Sequence, residues 1–222
     1  WTSAPSAGAA TSVSLSTTAT DTYRECFGWR QLWCEGPQFY FNGVPVILRS
    51  SSNWPVGLWT REEIADYWRQ IKAPNVFCFR THTQPWPELF YEVADEVGLL
   101  MIPEGAVWND DCSYRIGDPE FWSNYRTHVE SMIRTLGNHA SVVMWSLENE
   151  LYGSCLNEKS DCATQQLADL VRFAQKLAPT QPVMLESDGD PLGSVDVIGI
   201  HYPWELPNVY AYPDAAYWMD KP

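Results

Sequence analysis

Apolar and polar positions alternate along this chain in blocks rather than residue by residue. "FYFNGVPVILRS" passes through Asn42-Gly43 into the apolar run Val44–Leu48, which predicts a hairpin turn feeding a strand. "TREEIADYWRQIKA" follows, with Thr60 as a helix N-cap and Glu63 three residues on, a capping box. Ile64, Trp68 and Ile71 then recur at helical spacing. The alternation continues with "NVFCFRT" as a strand and "PELFYEVADEVG" as a helix stopped by Gly98. "LLMIPEG" is a strand, and Asp118 with Pro119 opens the helix "DPEFWSNYRTHVESMIRTLG". Ser141–Glu150 is the next strand, apolar until Glu148, Asn149 and Glu150 arrive together. "DCATQQLADLVRFAQKLA" is a helix, and "PVMLES" and "VDVIGIHY" are strands.

Strands without polar alternation, each followed by an amphipathic helix, place the chain in the α/β class with a parallel sheet covered on both faces. A doubly wound sheet would carry a Gly-rich turn after its first strand, and none occurs. Polar and ionisable residues gather instead at the carboxyl ends of successive strands: Arg49, Arg80 with His82, Glu104, Asn149 with Glu150, Glu186, and His201 with Tyr202. Convergence of many strand ends on one mouth is how a (β/α)8 TIM barrel builds its site. About six of the roughly eight strands of such a barrel are present, and Tyr217–Pro222 falls where a seventh would begin. The expectation is an incomplete barrel over residues 23–222. Residues 1–22, rich in Ser, Thr and Ala, are either a flexible tail or the last strands of a preceding domain.

Charge narrows the partners. Against 28 acidic residues stand 14 basic ones, a formal charge of −14, which disfavours nucleic acid and anionic membranes and suits a neutral ligand. Twelve Trp, eleven Tyr and eight Phe point the same way, since flat rings stack on the apolar faces of sugars, although core packing is their commoner use. The six cysteines show no C-x-x-C pair or Cys/His cluster at metal spacing, so zinc is not expected. Cys112, Cys155 and Cys162 lie in polar loops, which suits an oxidising, extracellular or periplasmic location with disulfides. The competing reading is a set of free thiols with Cys78 buried in a strand.

Three stretches in order carry a family resemblance. "FGWRQLWCEGPQFYFNGVPVILR" resembles the approach to the catalytic barrel of glycoside hydrolase family 2, the β-galactosidase, β-glucuronidase and β-mannosidase group. "NVFCFRTHTQPWPELFYEVADEVGLLMIPE" is similar to that family's N-x-V-R-x-S-H-Y-P … D-E-x-G-L-x-V-x-x-E run, and "NHASVVMWSLENE" to its N-H-P-S-V-x-x-W-S-L-G-N-E. The chain departs from the pattern at Thr83-Gln84-Pro85, at Glu148, where Gly is frequent, and at Ala140, where Pro is. The resemblance implies that residues 1–22 are the remnant of a β-sandwich domain.

It also implies a site. Glycoside cleavage needs an acid for the leaving oxygen and a carboxylate on the other side of the sugar. By resemblance Glu150 is the general acid/base of a retaining hydrolase, and Asn149 bonds the sugar 2-hydroxyl. Arg80 either steadies the nucleophile or forms a structural ion pair with Glu104. His82 touches substrate or supports a neighbour, Trp108 offers a stacking platform, Tyr202 bonds the nucleophile, and His201 and Trp204 line sugar subsites or pack. Glu104, Glu186 and Asp188 are substrate contacts or ion pairs of the mouth. The nucleophile, a Glu ending the family's seventh strand, is expected beyond Pro222, so the partners are a β-linked carbohydrate and the remainder of the barrel or another chain. No metal or cofactor is implied. The alternatives are a non-catalytic carbohydrate-binding barrel and an endo-acting polysaccharide hydrolase of the same clan.

Overall fold

The computed structural model describes residues 11–14, 22–25, 27–54, 57–108, 116–151, 161–186 and 189–199. Two short strands, β1 (Thr11–Ser14) and β2 (Thr22–Glu25), pair antiparallel. A three-stranded antiparallel sheet follows, made of β3 (Leu32–Glu35), β4 (Gln38–Phe41) and β5 (Val44–Val46). Its second turn is the expected one: Phe41 pairs with Val44, and Asn42 and Gly43 hold φ of 50° and 81°. Both central residues have the positive φ that a two-residue hairpin turn of this hand requires.

The parallel strands are β6 (Ser50–Asn53), β7 (Cys78–Thr81), β8 (Leu100–Ile102), β9 (Trp145–Asn149), β10 (Val183–Glu186) and β11 (Val197–Ile198). β6, β7 and β8 form one ladder, and β9, β10 and β11 another. Parallel bridges Met101–Val142, Glu104–Ser146 and Trp108–Asn149 join the two, so six strands stand side by side in chain order. This is a TIM-barrel wall, open among the described residues.

One expectation is corrected. The apolar run Val44–Leu48 is not a barrel strand: Val44–Val46 closes the antiparallel sheet, and the first barrel strand is the polar Ser50–Asn53. Arg49 therefore stands at the amino end of that strand, where its carbonyl accepts from the N–H groups of Phe77 and Cys78, and not at the mouth.

Helices α1 (Arg61–Lys72), α2 (Glu88–Val97), α3 (Pro119–Leu136) and α4 (Asp161–Leu177) alternate with the strands. Their boundaries follow local chemistry. Thr60 and Glu63 form the reciprocal capping box, Gly98 ends α2 at φ 72°, and the Asp118 side chain accepts from Glu120 N–H at the start of α3. Phe79, Met101, Trp145, Leu147, Val183 and Leu185 face these helices within the larger core. Aromatic residues concentrate there: Trp68 packs against Phe79, Trp86 and Phe90, and its indole N–H donates to Phe90 O at 3.0 Å.

The inner face is different at its two ends. At the amino end Cys78, Ile102, Val143, Met144 and Met184 form a second apolar cluster with Leu32, and Phe39 and Phe41 of the antiparallel sheet lie against it. That sheet plugs the bottom of the barrel. Burial pushes the Cys78 thiol up to about 12. Cys34 and Cys78 are free thiols, while Cys26, Cys112, Cys155 and the side chain of Cys162 lie outside the described residues.

Two of the stretches that carry the resemblance turn out to be bonded to each other. Asp95, in "ADEVG", accepts from Ser141 N–H at 2.6 Å and from His139 Nδ1 at 2.7 Å, so it fixes the turn that launches β9. Arg30 donates to Val142 O at 2.9 Å and to Gly137 O at 2.8 Å from the other side. Gly105 is needed for a close approach: a Cβ there would lie 2.6 Å from Leu147 O and collide with the Tyr125 hydroxyl, which donates to that same carbonyl. Gly105→Ala in the intact protein is expected to cost about 1–3 kcal/mol through overpacking. Urea denaturation checks it, with no effect from a substitution at the open Gly57 as reference.

Candidate active site

The carboxyl ends of β7 to β10 bring five polar side chains, Arg80, Glu104, Ser146, Asn149 and Glu186, into one network. Glu104 follows β8 and has no exposed surface. Its carboxylate accepts from the Arg80 guanidinium, from Thr83 N–H at 2.6 Å and from the Ser146 hydroxyl at 2.8 Å. Burial pushes the Glu104 carboxyl above its ordinary range, opposed by the charge of Arg80 and by these hydrogen bonds. Arg80 also donates to Asn149 Oδ1 at 3.1 Å and stands 3.8 Å from Glu186 Oε1. The ion pair of Arg80 with Glu104 is thus present, and the same guanidinium orients the Asn149 amide with its Nδ2 turned away from Arg80.

Asn149 reaches this face through a slip in the ladder. Met184 pairs with Ser146, but Glu186 pairs with Asn149, so β9 carries one extra residue across Leu147-Glu148. The bulge sets Asn149 beside Glu186 on the inner face. Glu150 comes next, at φ 58°, a left-handed conformation unusual for a residue with a side chain and costing roughly 1–2 kcal/mol. Its N–H donates to Glu186 O at 2.8 Å. Glu148 is wholly buried, and its carboxylate accepts Leu151 N–H at 2.5 Å. The Glu148 side chain therefore ties the backbone just after Glu150 back to the end of β9, a role that the bulged geometry reveals.

His82 and Trp108 stand at the rim. His82 N–H donates to Asn53 O at 3.1 Å, and its ring lies 4.4 Å from that of Trp54. Trp54 meets Trp108 edge-on at 5.6 Å. Sequence alone does not draw attention to Trp54, because the strand it follows is polar; its one signal is its place directly after that strand. The loop from Glu104 to Trp108 is tied down on both sides. Gly105 N–H donates to Ser146 O at 2.9 Å, and Ala106 N–H donates to His128 Nε2 at 3.1 Å. His201, Tyr202, Trp204 and Asp188 lie outside the described residues.

An inner barrel face plugged by apolar residues below and lined by carboxylates, an amide and a guanidinium above defines a parallel α/β-barrel domain with a polar mouth. The chain belongs to the glycosyl hydrolases family 2, TIM barrel domain, whose model matches residues 30–213. It is 24% identical over 192 residues to the beta-glucuronidase of Homo sapiens, covering 78% of this chain and 27% of that protein. To the beta-galactosidase of Pseudoalteromonas haloplanktis it is 25% identical over 180 residues, 77% of this chain and 16% of the relative. To the beta-mannosidase of Capra hircus it is 28% identical over 126 residues, 52% of this chain and 14% of the relative. Among solved structures it is similar to the b-glucuronidase from Ruminococcus gnavus in complex with N1-substituted uronic isofagomine. That match has TM-score 0.72 and 25% identity, over 87% of this chain and 34% of that one. A glycosyl hydrolase family 2 member from Bacteroides cellulosilyticus shares the fold at TM-score 0.73 and 21% identity, over 85% of this chain and 26% of that one. The chain spans between 14% and 27% of the length of these three curated relatives.

Two measurements follow. Arg80→Met would leave the buried Glu104 without its cation and is expected to destabilise the intact protein by about 3–5 kcal/mol; adding Glu104→Gln should return part of that in chemical denaturation. His128 has its pKa lowered from 6.5 by burial, and its Nε2 accepts a hydrogen bond only when unprotonated. The unfolded chain then binds the proton first, so stability is full above about pH 6.5 and lost as pH falls through the depressed folded value. A shallower decline in His128→Gln, whose amide oxygen accepts without titrating, checks the assignment.

Proposed function

We propose that the intact protein is a retaining hydrolase of β-linked glycosides, with Glu150 as general acid and then general base. The observation that carries this reading is the placement of Glu150. It follows Asn149 at the end of β9, in a left-handed turn held by Glu186 O and braced by Glu148, directly beside the Arg80–Glu104 network. Local strain kept in place by surrounding bonds is characteristic of functional positions. The relatives named beta-glucuronidase, beta-galactosidase and beta-mannosidase support a β-linked substrate class.

In this reading the sugar that bears the scissile bond rests over Asn149. The Asn149 carbonyl is engaged by Arg80, which leaves the Nδ2 hydrogens to meet a hydroxyl of that sugar, the 2-hydroxyl by resemblance. Such a bond strengthens as charge develops on the ring. Glu150 protonates the leaving oxygen while a second carboxylate, contributed from outside the 222 residues, attacks the anomeric carbon. The glycosyl–enzyme bond then breaks as Glu150 takes a proton from the incoming water. Two carboxyls about 5 Å apart would be required for this retaining course.

Assay of the intact protein on aryl β-galactosides, β-glucuronides and β-mannosides tests the reading. Glu150→Gln is expected to lower kcat/KM about 10²–10⁴-fold on poor leaving groups and far less on dinitrophenyl glycosides, which depart without a proton, while kcat on the latter falls because the incoming water has lost its base. Turnover unaffected on both kinds of substrate would refute the acid/base role. NMR of the first-formed product should show the β-anomer; the α-anomer appearing first would refute retention.

A further inference from the structure

We propose that Glu148 is a positioning residue for the acid/base: its buried carboxylate, by holding Leu151 N–H, sets the direction in which Glu150 reaches the leaving oxygen. The inference rests on the acid/base reading above and adds to it a second side chain on which protonation of the leaving group depends. Gly is frequent here in the motif that the chain resembles, so the motif alone does not supply this device.

Burial comes first. Glu148 has no exposed surface, and Leu147 and Leu151 beside it are equally buried. A carboxylate in such surroundings is costly unless hydrogen bonds hold it. An apolar side chain of similar size would fill the same space without that cost, so packing does not explain the acid. Its bond to the backbone does. One Glu148 oxygen accepts from Leu151 N–H at 2.5 Å. That N–H belongs to a residue wholly inside the protein, where an unmet donor is strongly disfavoured. Glu186 O, the carbonyl that β10 offers at this height, is already taken by Glu150 N–H at 2.8 Å.

Geometry comes second. The N–H of Glu150 lies in the peptide plane before its Cα, and the N–H of Leu151 in the plane after it. Only φ and ψ of Glu150 relate the two planes. Glu186 O fixes the first and Glu148 the second, so together they hold Glu150 at φ 58° and with it the direction of the Cα–Cβ bond. An L-residue at positive φ is strained. Released at Leu151, it relaxes toward negative φ and swings its carboxyl out of place. Asn149 has separate holds: its N–H donates to Val107 O at 3.0 Å, and its Oδ1 accepts from Arg80 at 3.1 Å. Loss of the Glu148 carboxylate therefore displaces the acid and leaves the neighbouring amide where it is.

The experiment reads leaving-group dependence in the intact protein, with phenyl and dinitrophenyl β-glycosides of the sugar that wild type prefers. Phenol needs a proton to depart and dinitrophenol does not, so the ratio of kcat/KM on phenyl to kcat/KM on dinitrophenyl glycoside reports the acid. This ratio is indifferent to the fraction of enzyme that is folded. Glu148→Met and Glu148→Ala, which lack a carboxylate, are each expected to lower it about 10- to 100-fold, the effect of a misplacement of about 1 Å. Glu148→Gln, whose amide oxygen accepts from Leu151 N–H, should recover most of it. A ratio that stays at the wild-type value in Met or Ala, with both substrates equally affected, overturns the proposal. So does a Gln variant that recovers no more than these, or that falls as far as Glu150→Gln. Should Glu150→Gln itself keep the wild-type ratio, the acid/base reading fails and the positioning role goes with it. A fall in Glu150→Gln with none in Glu148→Met removes the positioning role alone.

Discussion

The ion pair between Arg80 and Glu104 is the joint on which the mouth is assembled. It ties the end of β7 to the segment after β8, and through the Ser146 hydroxyl it reaches into β9. The same Nη1 also holds Asn149, and Nη2 approaches Glu186 on β10. Four neighbouring strands therefore end at one cation. Burial makes this arrangement costly for any member left alone, because a desolvated charge without its partner is worth several kcal/mol of instability. A buried pair of this kind contributes less to net stability than to fixing which side chains point where.

Packing and chemistry divide the barrel lengthwise. Below, the antiparallel sheet places Leu32, Phe39 and Phe41 against Cys78, Ile102, Met144 and Met184, which excludes water from the floor. Outside, the helices bury most of the aromatic residues around Trp68, Trp86 and Phe90, so much of the tryptophan content serves the core. At the upper rim, by contrast, the half-exposed indole of Trp54 meets Trp108 beside the polar mouth. The same residue type thus occupies two environments separated by height along the strands, and composition alone could not assign them.

What could be read from the sequence was mostly local. A capping box at Thr60, a left-handed stop at Gly98, the Asp118-Pro119 start of α3 and the Asn42-Gly43 turn each depend on residues within a few positions of one another. The parallel, unalternating strands from β7 to β10 were legible because both faces are covered. Ser50–Asn53 was not, since a strand of Ser and Asn has no apolar period and its only described neighbour is β7. The place of Arg49 was misjudged for the same reason. Glu148 illustrates a deeper limit: its bond to Leu151 exists because β9 gains a residue against β10, and a register shift is a property of two strands rather than of one. The resemblance directs attention to Asn149-Glu150 at the carboxyl end of β9, while the bonds that hold these residues there had to be seen in three dimensions.

The bulge in β9 has a consequence for how such a domain can change. From Met144 to Leu147 the chain obeys one even–odd phase, with Met144 inward and Trp145 and Leu147 outward. After Glu148 the phase is reset, and Asn149 takes its facing from Glu186 rather than from the core below. The floor and the rim of the barrel are in this sense written in two independent frames. Side chains at the rim can be exchanged, or the strand end re-aimed by a residue, without transmitting a flip to the packed layers beneath. A fold that must keep one core while its rim varies gains from having that seam built into β9.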